Sequence, residues 1–249
     1  MDNPAYLRAK NLTEKIAAEV GDPEFYRHHH VAVSESARLY ENAPMVRDCL
    51  EIVSGYGDCY GHGLTHIRKV ALDAGAIILI ELKREPLTPD SGRLVRLAHL
   101  AGLLHDVRRR EKNHAKRGAE EAAGILAHFD LSKGESTAIV RAIANHEAFQ
   151  PQEPLENPAD QLLSDTLYDA DKFRWGPDNF TETLWAMLAS RQAPLSVVFK
   201  HFLPGLEGIR RVRDTFRTET GRIYGPDFID RGLEIGRRFY EARSSFHGD

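Results

Sequence analysis

Apolar residues recur along this chain at spacings of three and four, the period of an amphipathic helix, and alternation of the β type is not evident anywhere. In "THIRKVALDAGAIILIELKR" (65–84), Ile67, Val70, Ala71, Ala74, Ile77 and Ile78 fall on this period, with Thr65 as a start signal. "GRLVRLAHLAGLLHD" (92–106) stacks Leu94, Leu97, Ala101 and Leu104 on one face. Helices are also predicted over 114–129, 133–149 and 158–173, the last stopped by Gly176–Pro177. In "DNFTETLWAMLASR", Asn179 and Glu182 have the spacing of a capping box. Two further helices are expected near 194–219 and 226–244, with loop-like breaks at 86–92, 150–158 and 220–226. The predicted fold class is all-α, with no internal repeat and no long flexible linker.

Composition narrows the classes of function. A chain of 249 residues can bury a substantial core, and its 28% charged and 42% apolar content is that of a soluble globular protein. A net charge of −4 argues against general nucleic-acid binding. The longest strongly apolar run, "AIILI" at 76–80, is too short to span a bilayer, and the N-terminus lacks the pattern of a signal peptide. Cys49 and Cys59 are the only cysteines, read as two reduced thiols in a cytoplasmic protein rather than as a disulfide framework.

The chemistry concentrates on the predicted helices. His105 and Asp106 end a strongly apolar helix, where a charge is costly unless it is paired or bound to a metal. Roughly one adjacent His–Asp pair is expected by chance in such a composition, so the pair alone carries little. Other residues complete a set. His66 borders the apolar face of its helix, His114 opens the next helix after the pair, His146 closes the one after that, and Asp171 follows Leu163 and Leu167 on one face. Helical bundles build metal sites in this way, with single side chains projecting inward from successive helices. Mixed imidazole and carboxylate ligation suits iron, manganese, zinc or similar ions.

The ordered pattern His66, His105–Asp106, Asp171, set in "HIRKVA", "LAGLLHD" and "DADK", resembles the HD superfamily of metal-dependent phosphohydrolases. "NHAKRGAEEA" and "AIANHE", which add His114 and His146, are similar to its two-metal subset. That subset includes the bacterial dinucleoside tetraphosphate hydrolases of the YqeK type and the HD-GYP phosphodiesterases. The resemblance covers about residues 60–176. It implies an HD-type helical bundle within a single all-α domain, with helical extensions over 1–59 and 177–249. It also implies two divalent ions (Fe, Mn or similar), with Asp106 shared between them, and a metal-activated water that attacks a phosphate ester or anhydride of a nucleotide or small phosphorylated metabolite. Some relatives with the same ligand pattern are mixed-valence di-iron oxygenases, which is the alternative expectation. The YqeK and HD-GYP types carry lysine three residues after the dyad aspartate, where this chain has Arg109; the charge is kept, the point charge becomes a planar fork, and the identity of the substrate comes into doubt.

Several neighbours have a role or a duller reading. Arg109 is expected to contact phosphate, within a basic run that includes Arg108, Arg110, Lys112, Lys116 and Arg117 and that elsewhere would be a solvated face. Lys112, Lys172 and Arg174 are further candidates for substrate binding, with Trp175 and Asn179 beside the entrance. Asp169 competes with Asp171 as a ligand, but residues two apart on a helix point to different sides. His62 reads as a pocket residue, and Glu147 as one that orients a ligand or as a solvated helix end. His28, His29 and His30 form a remote cluster that could bind metal adventitiously or offer an alternative first ligand, a poor rival to His66 at that distance from the dyad. A small phosphorylated molecule is the expected partner, a membrane is not, and the pattern admits a homo-oligomer.

Overall fold

The computed structural model describes residues 4–56, 63–85, 87–88, 90–191 and 193–246, and these are all-helical. Two helices form the centre, α5 (Leu64–Arg84) and α6 (Ser91–Leu104). Between Ala74 and Ile78, and again between Leu97 and Leu104, every residue is buried. Helices apolar on all sides belong inside a larger assembly of helices, and the single stripe read from Leu94, Leu97, Ala101 and Leu104 understates how deeply α6 is enclosed. Small residues let the two helices meet at the backbone. A methyl group on Gly102 would stand 2.5 Å from the Cα of Ala71, so only glycine fits that crossing.

Around this pair lie α7 (His114–Leu126) and α8 (Lys133–Ala144), packed on each other, and α9 (Pro158–Phe173), which packs on α5, α6 and α8. The N-terminal segment supplies α1 (Pro4–Val20), α2 (Glu24–His28), α3 (His30–Glu41) and α4 (Pro44–Ser54). Of these, α3 packs on α5, α4 on α6, and α1 on the C-terminal helix α12 (Glu219–Glu241). A π-helical turn (Asn179–Thr183) leads into α10 (Leu184–Arg191), followed by α11 (Leu195–Arg210), and a 3₁₀ turn (Ala242–Phe246) closes the chain.

Three expectations require correction. The break expected at 220–226 is the first two turns of α12, and the helix expected over 194–219 ends at Arg210. Gly221, Gly225 and Pro226 look like loop punctuation. Instead, Gly221 admits the Asp169 carboxylate and Gly225 the Phe216 ring, each so close that a methyl group would collide. Thr218 starts the helix by accepting from Gly221 N at 2.8 Å. Second, Asn179 and Glu182 form no capping box; Glu182 accepts from Lys69 Nζ at 2.7 Å, and the segment is the π turn. A capping box stands instead at Ser132–Glu135, at the start of α8. Third, α5 starts one residue early, with Gly63 rather than Thr65 at its N-cap, and α8 ends at Ala144, which leaves His146 in the turn beyond it.

Candidate metal centre

The first turns of α5 and α7, the last turn of α9 and the segments just beyond α6 and α8 deliver the side chains to one point. The chain leaves α6 at Leu104, and His105 and Asp106 occupy the first turn after it. A run of turns follows, and Asn113 takes the left-handed conformation (φ 56°, ψ 42°) that asparagine tolerates better than most residues, directing His114 into α7. His66, His105, Asp106, His146 and Asp171 are buried, and His114 is 12% exposed at its side chain.

The distances define two halves that meet at Asp106. On one side, His66 Nε2 and His105 Nε2 are 3.3 Å apart, and Asp171 Oδ1 lies 3.4 and 3.7 Å from them. Asp106 Oδ2 faces the same pair at 3.7 and 3.5 Å. On the other side, Asp106 Oδ1 faces His146 Nε2 at 3.6 Å and His114 Nε2 at 3.8 Å. The ligand atoms of His66, His105 and Asp171 lie within 4.8 Å of one another, as do those of His105, Asp106 and His146.

The donor set suits a metal ion. His105 Nδ1–H donates to Gly102 O at 2.8 Å and His146 Nδ1–H to Ile143 O at 2.6 Å. Each bond fixes the tautomer that leaves the Nε2 lone pair pointing inward, the arrangement found around metal-binding histidines. Asp171 divides its oxygens, with Oδ1 toward the imidazoles and Oδ2 receiving Lys172 Nζ at 2.5 Å. Burial alone would raise the Asp171 carboxyl, but Lys172, His105 and His66 together hold it well below its ordinary value. It is therefore an anion in the interior, as a ligand must be. His114 is pushed down to about 4 by burial, by His146 and by Arg109, and stays neutral.

The other sequence-predicted residues divide. Arg109 Nη1 donates to His114 Nε2 at 2.7 Å, its Nε lies 4.0 Å from Asp106, and it lines a cavity beside the cluster. The single lone pair on His114 Nε2 cannot serve Arg109 and an ion at once. Lys172 is buried against Asp171 and lies 5.0 Å from the Tyr168 ring, so it orients a cluster carboxylate and does not line the cavity. Arg174 does line the cavity, but its guanidinium is held by Tyr26 at 2.7 Å and by Asp73 and Asp178. Lys112 is exposed and off the cavity; Arg108 pairs with Glu121 at 2.8 Å and Arg117 with Glu120 at 2.9 Å, so much of the basic run is a solvated face. Trp175 and Asn179 line the cavity.

Asp169 points away from the cluster. It accepts from Arg217 N, Thr218 N and Thr218 Oγ1 at 2.7–2.8 Å, and burial pushes its carboxyl up to about 7 against those bonds. It anchors the start of α12. Glu147 approaches His114 Nδ1 at 3.9 Å rather than its neighbour His146. His28, His29 and His30 belong to none of the ligand groups among the described residues, and His29 packs against the Phe25 and Tyr224 rings. His62 and Cys59 lie outside the described residues.

Two features carried no readable motif. One is the cavity, about 430 Å³, whose walls come from the π turn, α10 and α11. The other is Asp73, a buried carboxylate in the central helix α5, tied to Arg174 and accepting from Tyr26 Oη at 2.8 Å. A lone aspartate inside "VALDAGAIILI" was its only signal. No helix among the described residues is long and apolar enough to cross a membrane. No family model, curated protein or solved structure matches the chain.

Proposed function

We propose that this chain is a metal-dependent phosphohydrolase of the HD type, which cleaves a phosphate ester or anhydride with a metal-activated water. The observation that carries the reading is the position of Asp106, whose two oxygens face two separate imidazole pairs, His66/His105 and His114/His146. A carboxylate so divided is what a shared ligand between two ions requires. In this reading His66, His105, Asp171 and Asp106 would hold one ion, and Asp106, His146 and, with Arg109 turned off its Nε2, His114 would hold the other. Two such ions supply Lewis acidity and lower the pKa of a bound water. The protein's own contribution is orientation. Gly102 O and Ile143 O fix the His105 and His146 rings, and Lys172 turns Asp171 toward the imidazoles. Arg109 reaches the cavity beside His66 and carries the charge for a phosphate oxygen.

The test is a phosphate-release screen under argon, with Mn²⁺ added to metal-free protein, over nucleotides and simple phosphate esters. Hydrolysis needs no redox change, so release is expected to continue without oxygen. Product formation only with iron and oxygen would overturn the proposal in favour of oxygenase chemistry.

A further inference from the structure

The cavity beside the centre is far more apolar than phosphate chemistry requires. Its lining includes His66 of the cluster, Arg109, and Arg174, the last held by Asp73 and Asp178. The rest is dominated by aliphatic and aromatic side chains, among them Phe180, Met187, Leu188, Val198, Phe202 and Leu206. Phe180, Leu188 and Phe202 are buried by their own packing, and Phe202 is braced by Phe180 and Phe239 at ring separations of 6.1 and 5.6 Å. The wall is therefore built into the fold. A phosphate group gains nothing from such a surface. A nucleobase needs hydrogen-bond partners along its edge, and besides His66 and the arginines the polar lining is limited to Trp175, Asn179, Thr183 and His201. One ligand matches both ends, an anionic head at Arg109 and the cluster joined to a hydrocarbon body that enters the cavity.

We propose that this cavity is the subsite for a hydrocarbon group carried on the phosphorylated substrate, so that the enzyme acts on an amphiphilic phosphate ester rather than a nucleotide. The substrate class rests on the phosphohydrolase reading; the hydrocarbon subsite rests on the cavity itself. Gly205 gives a clean probe. It lines the cavity on α11, and a methyl group built there meets nothing within 4 Å, so a larger side chain can be introduced beside the cavity without a backbone clash.

The experiment is calorimetric titration of the full chain with inorganic phosphate, with butyl-, hexyl- and octylphosphonate, and with adenosine monophosphate, alongside phosphate release from octyl phosphate. Affinity is expected to rise with chain length, by up to about fourfold per methylene, the equivalent of ~0.8 kcal/mol for each buried CH₂. Octylphosphonate is expected to outbind adenosine monophosphate. Gly205→Phe should weaken octylphosphonate at least tenfold on the same scale and leave inorganic phosphate unchanged; Val198→Phe serves as a second variant should the first not fold. A flat chain-length series, tighter binding of adenosine monophosphate, or a slope untouched by both variants overturns the subsite. A chain-length slope without phosphate release under any divalent metal leaves the subsite standing and overturns the hydrolase reading. Release with a flat series does the reverse.

Discussion

Replacing Gly102 with alanine tests how the fold sets the geometry of the centre. The new Cβ would stand 2.5 Å from Ala71 Cα, 2.6 Å from Ala71 N and 2.9 Å from Ala71 Cβ. Carbon atoms in contact prefer about 3.5–4.0 Å, so α5 and α6 must separate by roughly 1 Å. The obstruction is backbone, which no rotamer change relieves. Overpacking of this kind costs about 1–3 kcal/mol, and a clash with main chain belongs at the upper end. Alanine's helix preference offsets about 1 kcal/mol, leaving a net loss of ~2 kcal/mol. For a chain of this size that lowers Tm by roughly 4–8 °C. The same shift reaches the ligands, because Gly102 O holds His105 Nδ1 and Ala71 lies five residues beyond His66 on α5. Ligand distances tolerate only about 0.2 Å, so affinity for Mn²⁺ should fall roughly ten- to a hundredfold. Urea unfolding of the metal-free protein and Mn²⁺ titration read the two effects separately. Gly124→Ala is the control, since a methyl group there meets nothing within 4 Å, and it should stabilise α7 slightly. If Gly102→Ala unfolds at or above the wild-type midpoint and binds Mn²⁺ as well, the close crossing does not govern the centre.

Further outcomes follow from individual residues. Arg109→Ala should lower kcat/KM on a phosphorylated substrate by roughly ten- to a hundredfold with metal content unchanged, and Arg109→Lys should recover part of it; wild-type kinetics in the alanine variant would remove its role. Metal analysis after loading and desalting should show that His114→Ala or His146→Ala loses mainly one ion and His105→Ala or Asp106→Ala loses both. Wild-type protein holding one ion that survives His146→Ala would contradict the two-ion arrangement. His99 is pushed down to about 3 by burial and then by Arg96, and its Nε2 lies 3.0 Å from the Ser36 hydroxyl, which donates to Leu72 O. It therefore stays neutral where the unfolded chain protonates. Its contribution is complete above about pH 6.5 and declines as the pH falls toward 3, by ~2 kcal/mol at pH 5. In His99→Gln the loss of stability between pH 7 and 5, followed by urea unfolding, should shrink by about that amount, and an unchanged slope would show that His99 is not its source.

The helical class and most of the candidate ligands were legible from local sequence. Helical periodicity needs only a few turns of chain to declare itself, and His66, His105, Asp106, His114, His146 and Asp171 each stand in short, recognisable surroundings. Helical phase told only that Asp169 and Asp171, two apart, could not both face one point; the resemblance carried by "DADK" chose Asp171. What the pattern misread has a common cause. Gly221, Gly225 and Pro226 signal a loop by their own preferences, yet the glycines sit inside α12 because Asp169 and Phe216 press against them, and no local rule sees a distant neighbour. Lys172 and Arg174 read as free cations beside a site, but burial engages them with Asp171, Asp73 and Asp178. The cavity belongs wholly to the tertiary structure. Its walls are ordinary apolar residues of the π turn, α10 and α11, which in sequence differ in no way from core residues. An apolar side chain that fills the interior and one that lines a binding site share the same chemistry, and only the packing of the surrounding helices leaves space beside one and not the other.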